Sequence, residues 1–218
     1  MTFTTLLTTA DLAAHLDDAS FAIVDCRFAL DDTEWGRREY VASHIPGAVY
    51  AHLDEVLSGP KTGMNGRHPL PDPEALRESL STLGIDAGTQ VVAYDEGTGM
   101  YGSRLWWLLR WLGHDAVAVL DGGFAKWVAE GRPTKSGNET REPRTFTGSP
   151  RAGMTVDANA VARFAADPSW RVVDGRAAER YRGEIEPIDP VAGHIPGAIN
   201  HFYKLSLAPD GTFRAPGE

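Results

Sequence analysis

The sequence predicts an α/β fold built as two doubly wound parallel-sheet units in tandem, the second incomplete in this chain. Three observations carry that prediction. Short apolar runs alternate with amphipathic ones through the first half of the chain, the pattern of a parallel sheet covered on both faces. Ile23-Val24-Asp25-Cys26-Arg27 returns as Val172-Val173-Asp174-Gly175-Arg176, and His44-Ile45-Pro46-Gly47-Ala48 returns as His194-Ile195-Pro196-Gly197-Ala198, at offsets of 149 and 150 positions. Between the copies runs Pro133–Arg151, rich in Pro, Gly, Ser, Thr and charge and without a hydrophobic period.

In chain order, Asp11–Leu16 reads as a helix with Thr8 or Thr9 free to accept from its first N–H groups. Phe21–Asp25 is a short apolar strand. Pro73–Leu83 is a helix with proline at its start and Gly84 past its end. Gln90–Tyr94 is a strand, Ser103–Leu112 a tryptophan-rich helix, and Ala116–Leu120 a third strand. Asp121-Gly122-Gly123 then turns into a helix over Phe124–Glu130. Strands this short and this apolar suit a sheet buried on both faces. In the second copy, Thr155-Val156-Asp157-Ala158 opens an amphipathic run like that of Thr8-Thr9-Ala10-Asp11-Leu12. The expected organisation is therefore a unit at 1–132, an extended linker at 133–151, and the beginning of a second unit at 152–218.

Composition bounds the function. Of 218 residues, 42% are hydrophobic and 23% charged, which describes a soluble globular protein. The most apolar stretch, Leu105–Leu112, is interrupted by Arg110, so no membrane span is expected. Met1–Ala10 has no basic region of a signal peptide, and a cytoplasmic location is expected. With 21 Lys and Arg against 30 Asp and Glu, a net charge of −9 argues against nucleic acid or anionic membrane as partner. A single cysteine, Cys26, excludes a disulfide framework or a zinc cluster within one chain, and no metal or cofactor is expected. Nothing in the pattern sets the oligomeric state.

Asp-x-Arg at a strand end followed by His-Ile-Pro-Gly-Ala, twice, resembles the tandem-domain rhodanese family, the thiosulfate and 3-mercaptopyruvate sulfurtransferases. Tyr94-Asp95, Ser103-Arg104-Leu105-Trp106-Trp107, Leu120-Asp121-Gly122-Gly123 with Trp127, and Arg180-Tyr181-Arg182-Gly183-Glu184 extend the resemblance over nearly the whole chain. It implies two rhodanese-like domains and a small anionic sulfur donor. A cysteine persulfide in the second domain would carry the sulfur to cyanide or another thiophilic acceptor. It also implies that this cysteine opens a loop of inward-pointing N–H groups, a nest that stabilises a thiolate or persulfide. Carried forward by the 150-residue offset, Asp95 recurs near position 245, so the nucleophile is expected there and none within this chain, which alone is expected to be inactive.

The remaining candidates follow from that placement. Cys26 has Gly175 as its counterpart and reads as a semi-buried structural thiol. Asp95, with Gly97 and Gly99, forms the first unit's version of the active loop, where a carboxylate can take the N–H bonds itself and leave the domain catalytically silent. By the resemblance Arg180 grips the anionic donor, with Arg182 the runner-up, because a planar guanidinium matches a carboxylate or sulfonate by parallel N–H bonds. Asp174 and Arg176 read as a structural pair supporting the site. Mercaptopyruvate enzymes resemble a pattern with a second arginine nine residues after the first; here that position is Asp189, which tilts the expected donor toward thiosulfate. 3-Mercaptopyruvate is the alternative, with a non-catalytic binding or regulatory protein or a phosphatase-like relative as further readings. His44 and His194 are expected to hydrogen-bond their Pro-Gly turns, and Trp106, Trp107, Trp111 and Trp127 to be core aromatics.

Overall fold

The computed structural model describes residues 2–215 and 217. In the first half, β1 (Leu6–Leu7), β2 (Phe21–Asp25), β3 (Val49–Tyr50), β4 (Gln90–Tyr94) and β5 (Val117–Leu120) form one all-parallel sheet in the order β1-β5-β4-β2-β3. Helices α1 (Thr9–Ala13), α2 (Trp35–Ala42), α3 (Pro73–Thr82), α4 (Gly102–Trp111) and α5 (Gly123–Ala129) connect the strands. All five residues of β2 and of β4 are buried, and their register runs from Phe21 opposite Gln90 to Asp25 opposite Tyr94. Both strands therefore end together at one sheet edge, and the loops that carry polar chemistry leave from there.

Local signals set the helix ends. Thr8 accepts from the Asp11 N–H at the start of α1, and Asp72 accepts from the Glu74 and Ala75 N–H groups beside Pro73 at the start of α3. The core gathers Leu7, Leu12, Ile23, Ile45, Val92, Tyr94, Leu120 and Trp127. Trp127 and Trp111 are core residues as expected, whereas Trp106 and Trp107 are only half-buried; Trp106 donates its indole N–H to Thr4 O at 2.9 Å. The Arg110 guanidinium lies over the Trp106 ring, which keeps that face of α4 amphipathic.

The chain divides into two compact units between Arg151 and Ala152, with Asp210–Thr212 grouped with the first. Residues 133–151, read from sequence as a linker, carry no helix or strand, yet they are part of the first unit. Lys135 forms a bridge with His44, Arg144 N–H donates to Ser81 O, Phe146 is 5% exposed, and Arg151 makes two 2.7 Å bonds to Asp115. The segment lacks a hydrophobic period because it is held by backbone and ion-pair contacts rather than by an apolar face.

The second unit contains α6 (Ala158–Ala166), β6 (Val173–Asp174), α7 (Ala178–Arg182), β7 (Ile199–Asn200) and a 3₁₀ turn over Tyr203–Ser206. β6 and β7 pair in parallel, Val173 opposite Ile199 and Asp174 opposite Asn200, as Val24 and Asp25 of β2 face Val49 and Tyr50 of β3. Val173, Ile195 and Ile199 are about half exposed, at 56%, 50% and 47%.

Three contacts show how the repeat is kept. Tyr40 Oη donates to Ala48 O and Tyr181 Oη to Ala198 O; His44 Nδ1 meets Tyr40 O and His194 Nδ1 meets Tyr181 O, each at 2.7 Å. Each histidine stacks on its tyrosine, at 4.4 and 3.8 Å between centroids. The rings thus lock onto the preceding helix rather than onto the Pro-Gly turn itself. Tyr40 precedes His44 by 4 residues and Tyr181 precedes His194 by 13, so the second unit carries nine additional residues here. That insertion holds Glu184, Glu186 and Asp189.

Candidate functional site

At the carboxyl end of β4 the chain wraps around one side chain. Asp95 is 2% exposed, and its Oδ1 accepts from the N–H groups of Gly97, Thr98 and Gly99 at 3.0–3.1 Å. Its Oδ2 accepts from Tyr101 at 2.7 Å and Gly102 at 3.1 Å. Gly99 adopts φ +70°, the left-handed turn that points these amides at one centre. The loop is clamped from outside by α5: Phe124 N–H donates to Asp95 O and Ala125 N–H to Glu96 O. A Cβ on Gly123 would stand 2.6 Å from Asp95 O, so only glycine permits this approach. The cradle of N–H groups, with its helix start at Gly102, is occupied by the chain's own carboxylate.

Beneath the loop, Asp25 and Arg27 form a pair almost without solvent, at 0% and 1% exposure. Arg27 Nη2 donates to Asp25 Oδ2 at 2.7 Å and to Ser43 O at 2.6 Å, Tyr94 Oη donates to Asp25 Oδ2, and the guanidinium lies 4.1 Å over Phe124. Cys26 sits between them, 1% exposed, and burial together with the carboxylates of Asp25 and Asp95 pushes its thiol well above the usual range. A thiol so placed is a poor nucleophile. A disulfide reagent such as 5,5′-dithiobis(2-nitrobenzoate) is expected to label Cys26 at most slowly in the native protein and fully after denaturation; rapid native labelling would contradict this burial.

In the second unit, Asp174 and Arg176 repeat the Asp25–Arg27 pair at 2.6 Å, with Arg176 Nη2 donating to Gly193 O as Arg27 Nη2 does to Ser43 O. What differs is the carboxylate between the arginines. Glu186, its side chain 5% exposed, accepts from Arg180 Nε at 3.2 Å and Nη2 at 2.7 Å, from Arg176 Nη1 at 3.2 Å, and from the N–H groups of Ile188 and Asp189. Arg180 Nη2 also donates to Asp189 Oδ2 at 2.8 Å. Asp189, read from sequence as a repelling charge, is thus paired with the candidate donor arginine. Arg182 is turned away into an exposed pair with Glu184 at 2.6 Å, so the structure brings Arg176 and Arg180 together and leaves Arg182 outside. In the first unit Glu39 precedes Tyr40 where Arg180 precedes Tyr181, and the corresponding place holds no arginine.

The Arg180 guanidinium, aided by the Asp189 and Ile188 N–H groups, holds the Glu186 carboxyl down at about 2 against an ordinary value of 4.5. A depressed carboxyl contributes stability that is complete above its unfolded value and is lost as pH falls through the folded one. The cluster is therefore expected to stay intact at pH 4.5 and to open only as pH approaches 2. The carbonyl-carbon NMR shift of Glu186 checks this; a midpoint near 4.5 would contradict it.

Glu186 was not singled out from sequence, because its role depends on an insertion that the repeat alignment spans without resolving; the Glu-x-Glu doublet at 184–186 beside Arg180-x-Arg182 was the available signal. A second missed arrangement lies in the first unit. His68 Nδ1 meets Asp54 Oδ1 at 3.1 Å while its Nε2 is buried without a hydrogen-bond partner, the geometry of an imidazole oriented by a carboxylate. Glu34, His52 and Glu55 converge as a metal-like group, but both His52 ring nitrogens are engaged, with Thr33 O and the Asp54 N–H.

Residues 8–130 match the family model for the rhodanese-like domain. The chain is 46% identical over 213 residues to a Pseudomonas aeruginosa protein named "Probable 3-mercaptopyruvate sulfurtransferase", covering 97% of this chain and 75% of that protein. It is 31% identical over 203 residues to the thiosulfate sulfurtransferase of Bos taurus, covering 90% of this chain and 67% of the relative. Among solved structures, 3-mercaptopyruvate sulfurtransferase from Leishmania major superposes with a TM-score of 0.83 at 31% identity, over 97% of this chain and 59% of that one. With its parallel sheet, its N–H loop after β4 and these likenesses in hand, the chain belongs to the rhodanese-like family.

Proposed function

We propose that this protein transfers sulfur from 3-mercaptopyruvate to a thiophilic acceptor through a cysteine persulfide whose cysteine lies outside these 218 residues. The donor differs from the thiosulfate expected from Asp189. Relatives named for 3-mercaptopyruvate support it, including one 46% identical over 97% of this chain. The Asp189 carboxylate is itself bonded to Arg180.

The observation that carries the reading is Arg180, a guanidinium fixed in direction by a buried glutamate and aligned by position with the donor-gripping arginine that the family resemblance implies. A fixed cation offsets the repulsion between an anionic donor and a thiolate. In the reaction the thiolate attacks the donor's terminal sulfur and the carbon–sulfur bond breaks. Its electron pair leaves with pyruvate, which takes up the thiol proton, and the sulfur remains as a persulfide. An acceptor such as cyanide then attacks the outer sulfur and releases the thiolate. Cys26 cannot serve, being buried with a raised thiol, and the first unit's loop is filled by Asp95. In this proposal the first unit is catalytically silent and the donor-binding residues belong to the second.

Thiosulfate as donor is the second reading, favoured by the bovine relative's name and by the missing second arginine at position 189. The test is the reading frame followed through codon 218, with pyruvate and thiocyanate release assayed on its product with cyanide as acceptor. A cysteine opening a glycine-containing loop near position 245 and turnover of 3-mercaptopyruvate support the proposal. A frame that ends at Glu218, or turnover abolished by Cys26→Ser, overturns it; the first of these favours a non-catalytic binding protein.

A further inference from the structure

We infer that Asp189 is a latch on the donor site: its carboxylate holds the edge of Arg180 that an anionic donor needs, and the donor must displace it to bind. This rests on the reading of Arg180 as donor anchor. A guanidinium offers a carboxylate two flat edges, one made of Nε with one terminal nitrogen and one made of both terminal nitrogens. Glu186 occupies the first edge in full, through Nε at 3.2 Å and Nη2 at 2.7 Å. The second edge remains, and its Nη2 proton already goes to Asp189 Oδ2 at 2.8 Å. Among the described residues Nη1 makes no hydrogen bond to protein, so this edge is half taken.

Burial decides which carboxylate yields. The Glu186 side chain is 5% exposed and accepts from two arginines and two backbone N–H groups; the Asp189 side chain is 35% exposed. The Asp189 main chain is itself fixed, its N–H donating to Glu186 at 3.0 Å, so only the carboxylate has to swing. Glu186 is thus a positioning residue and Asp189 a competitor for the same guanidinium edge. The consequence is discrimination: a donor with a planar carboxylate reproduces the Asp189 bond and adds the one to Nη1, whereas a weakly basic anion gains less from the exchange.

The experiment is an NMR titration of this chain with pyruvate, followed at the Arg180 guanidinium resonance, for wild type, Asp189→Asn, Arg180→Gln and Glu179→Gln. Glu179 is exposed and adjacent to Arg180 in sequence, so its substitution removes the same charge without touching the latch. For the Arg180→Gln variant, binding is followed at the backbone amides of Ile188 and Asp189. Asp189→Asn is expected to tighten pyruvate binding about fivefold, the scale of one partly exposed ion pair. Glu179→Gln is expected to change it less than twofold. Equal tightening by both substitutions, or none by Asp189→Asn while Arg180→Gln abolishes binding, overturns the latch and leaves the anchor standing. Binding that survives Arg180→Gln, or no saturable binding in wild type and Asp189→Asn alike, overturns the anchor itself.

Discussion

Replacing Arg27 by methionine is expected to destabilise the first unit by about 3–5 kcal/mol, the cost of leaving a buried carboxylate without its partner. Asp25 is 0% exposed, and besides the Arg27 guanidinium its carboxylate has the Tyr94 hydroxyl and the Arg27 main-chain N–H as donors. Methionine fills part of the space over Phe124 but supplies no charge and no donor to Ser43 O. Urea unfolding of wild type and variant measures the loss. The double variant Asp25→Asn with Arg27→Met is expected to recover part of it, because the orphaned charge is gone. Arg176→Met should cost less, since Asp174 and Arg176 are 14% and 27% exposed and water can reach the remaining carboxylate. An Arg27→Met loss under about 1 kcal/mol would show that the pair is not the clamp at the sheet edge that its burial implies.

The second large effect is at Asp95. Alanine there removes the acceptor of five N–H groups in a site 2% exposed. At about 1–3 kcal/mol for a buried unsatisfied donor, with water entering the vacated space to satisfy some, a net loss of about 2–4 kcal/mol is expected. The variant should also gain what the wild type lacks: an open nest for a small anion. Sulfate in the millimolar range is expected to raise the Tm of Asp95→Ala and to leave that of wild type unchanged beyond the ionic-strength effect. Equal sulfate response in both proteins would mean that the carboxylate does not close the nest.

Much of this was legible in the sequence where burial is complete. β2 and β4 have the bounds read from the runs Phe21–Asp25 and Gln90–Tyr94, because strands covered on both faces are apolar along their length, with the polar Asp25 and Gln90 only at their ends. The helices α3, α4 and α5 lie within one residue of their expected ends, each marked by a proline, a glycine or the Asp-Gly-Gly turn. β1 and β3 are two residues long, too short for any period to show. α2 was missed because only Gly36 and Tyr40 of its eight residues are buried, leaving no apolar stripe to find. At the site, the Asp95 loop was readable because glycines at that spacing leave N–H groups seeking an acceptor. Glu186, and the pairing of Asp189 with Arg180, were not, because what they contact is set by a nine-residue insertion folded back on Arg180, and the offset between repeats passes over it.

The central claim is that Arg180 anchors a keto-acid sulfur donor. Its most direct test is steady-state sulfur transfer by the protein expressed from its complete reading frame, with 3-mercaptopyruvate and thiosulfate as donors, for wild type and Arg180→Gln. The account predicts a higher kcat/KM for 3-mercaptopyruvate than for thiosulfate and a loss of at least about tenfold for 3-mercaptopyruvate in Arg180→Gln, roughly 1.4 kcal/mol of transition-state binding. A preference for thiosulfate, or an Arg180→Gln enzyme within about threefold of wild type, would contradict it.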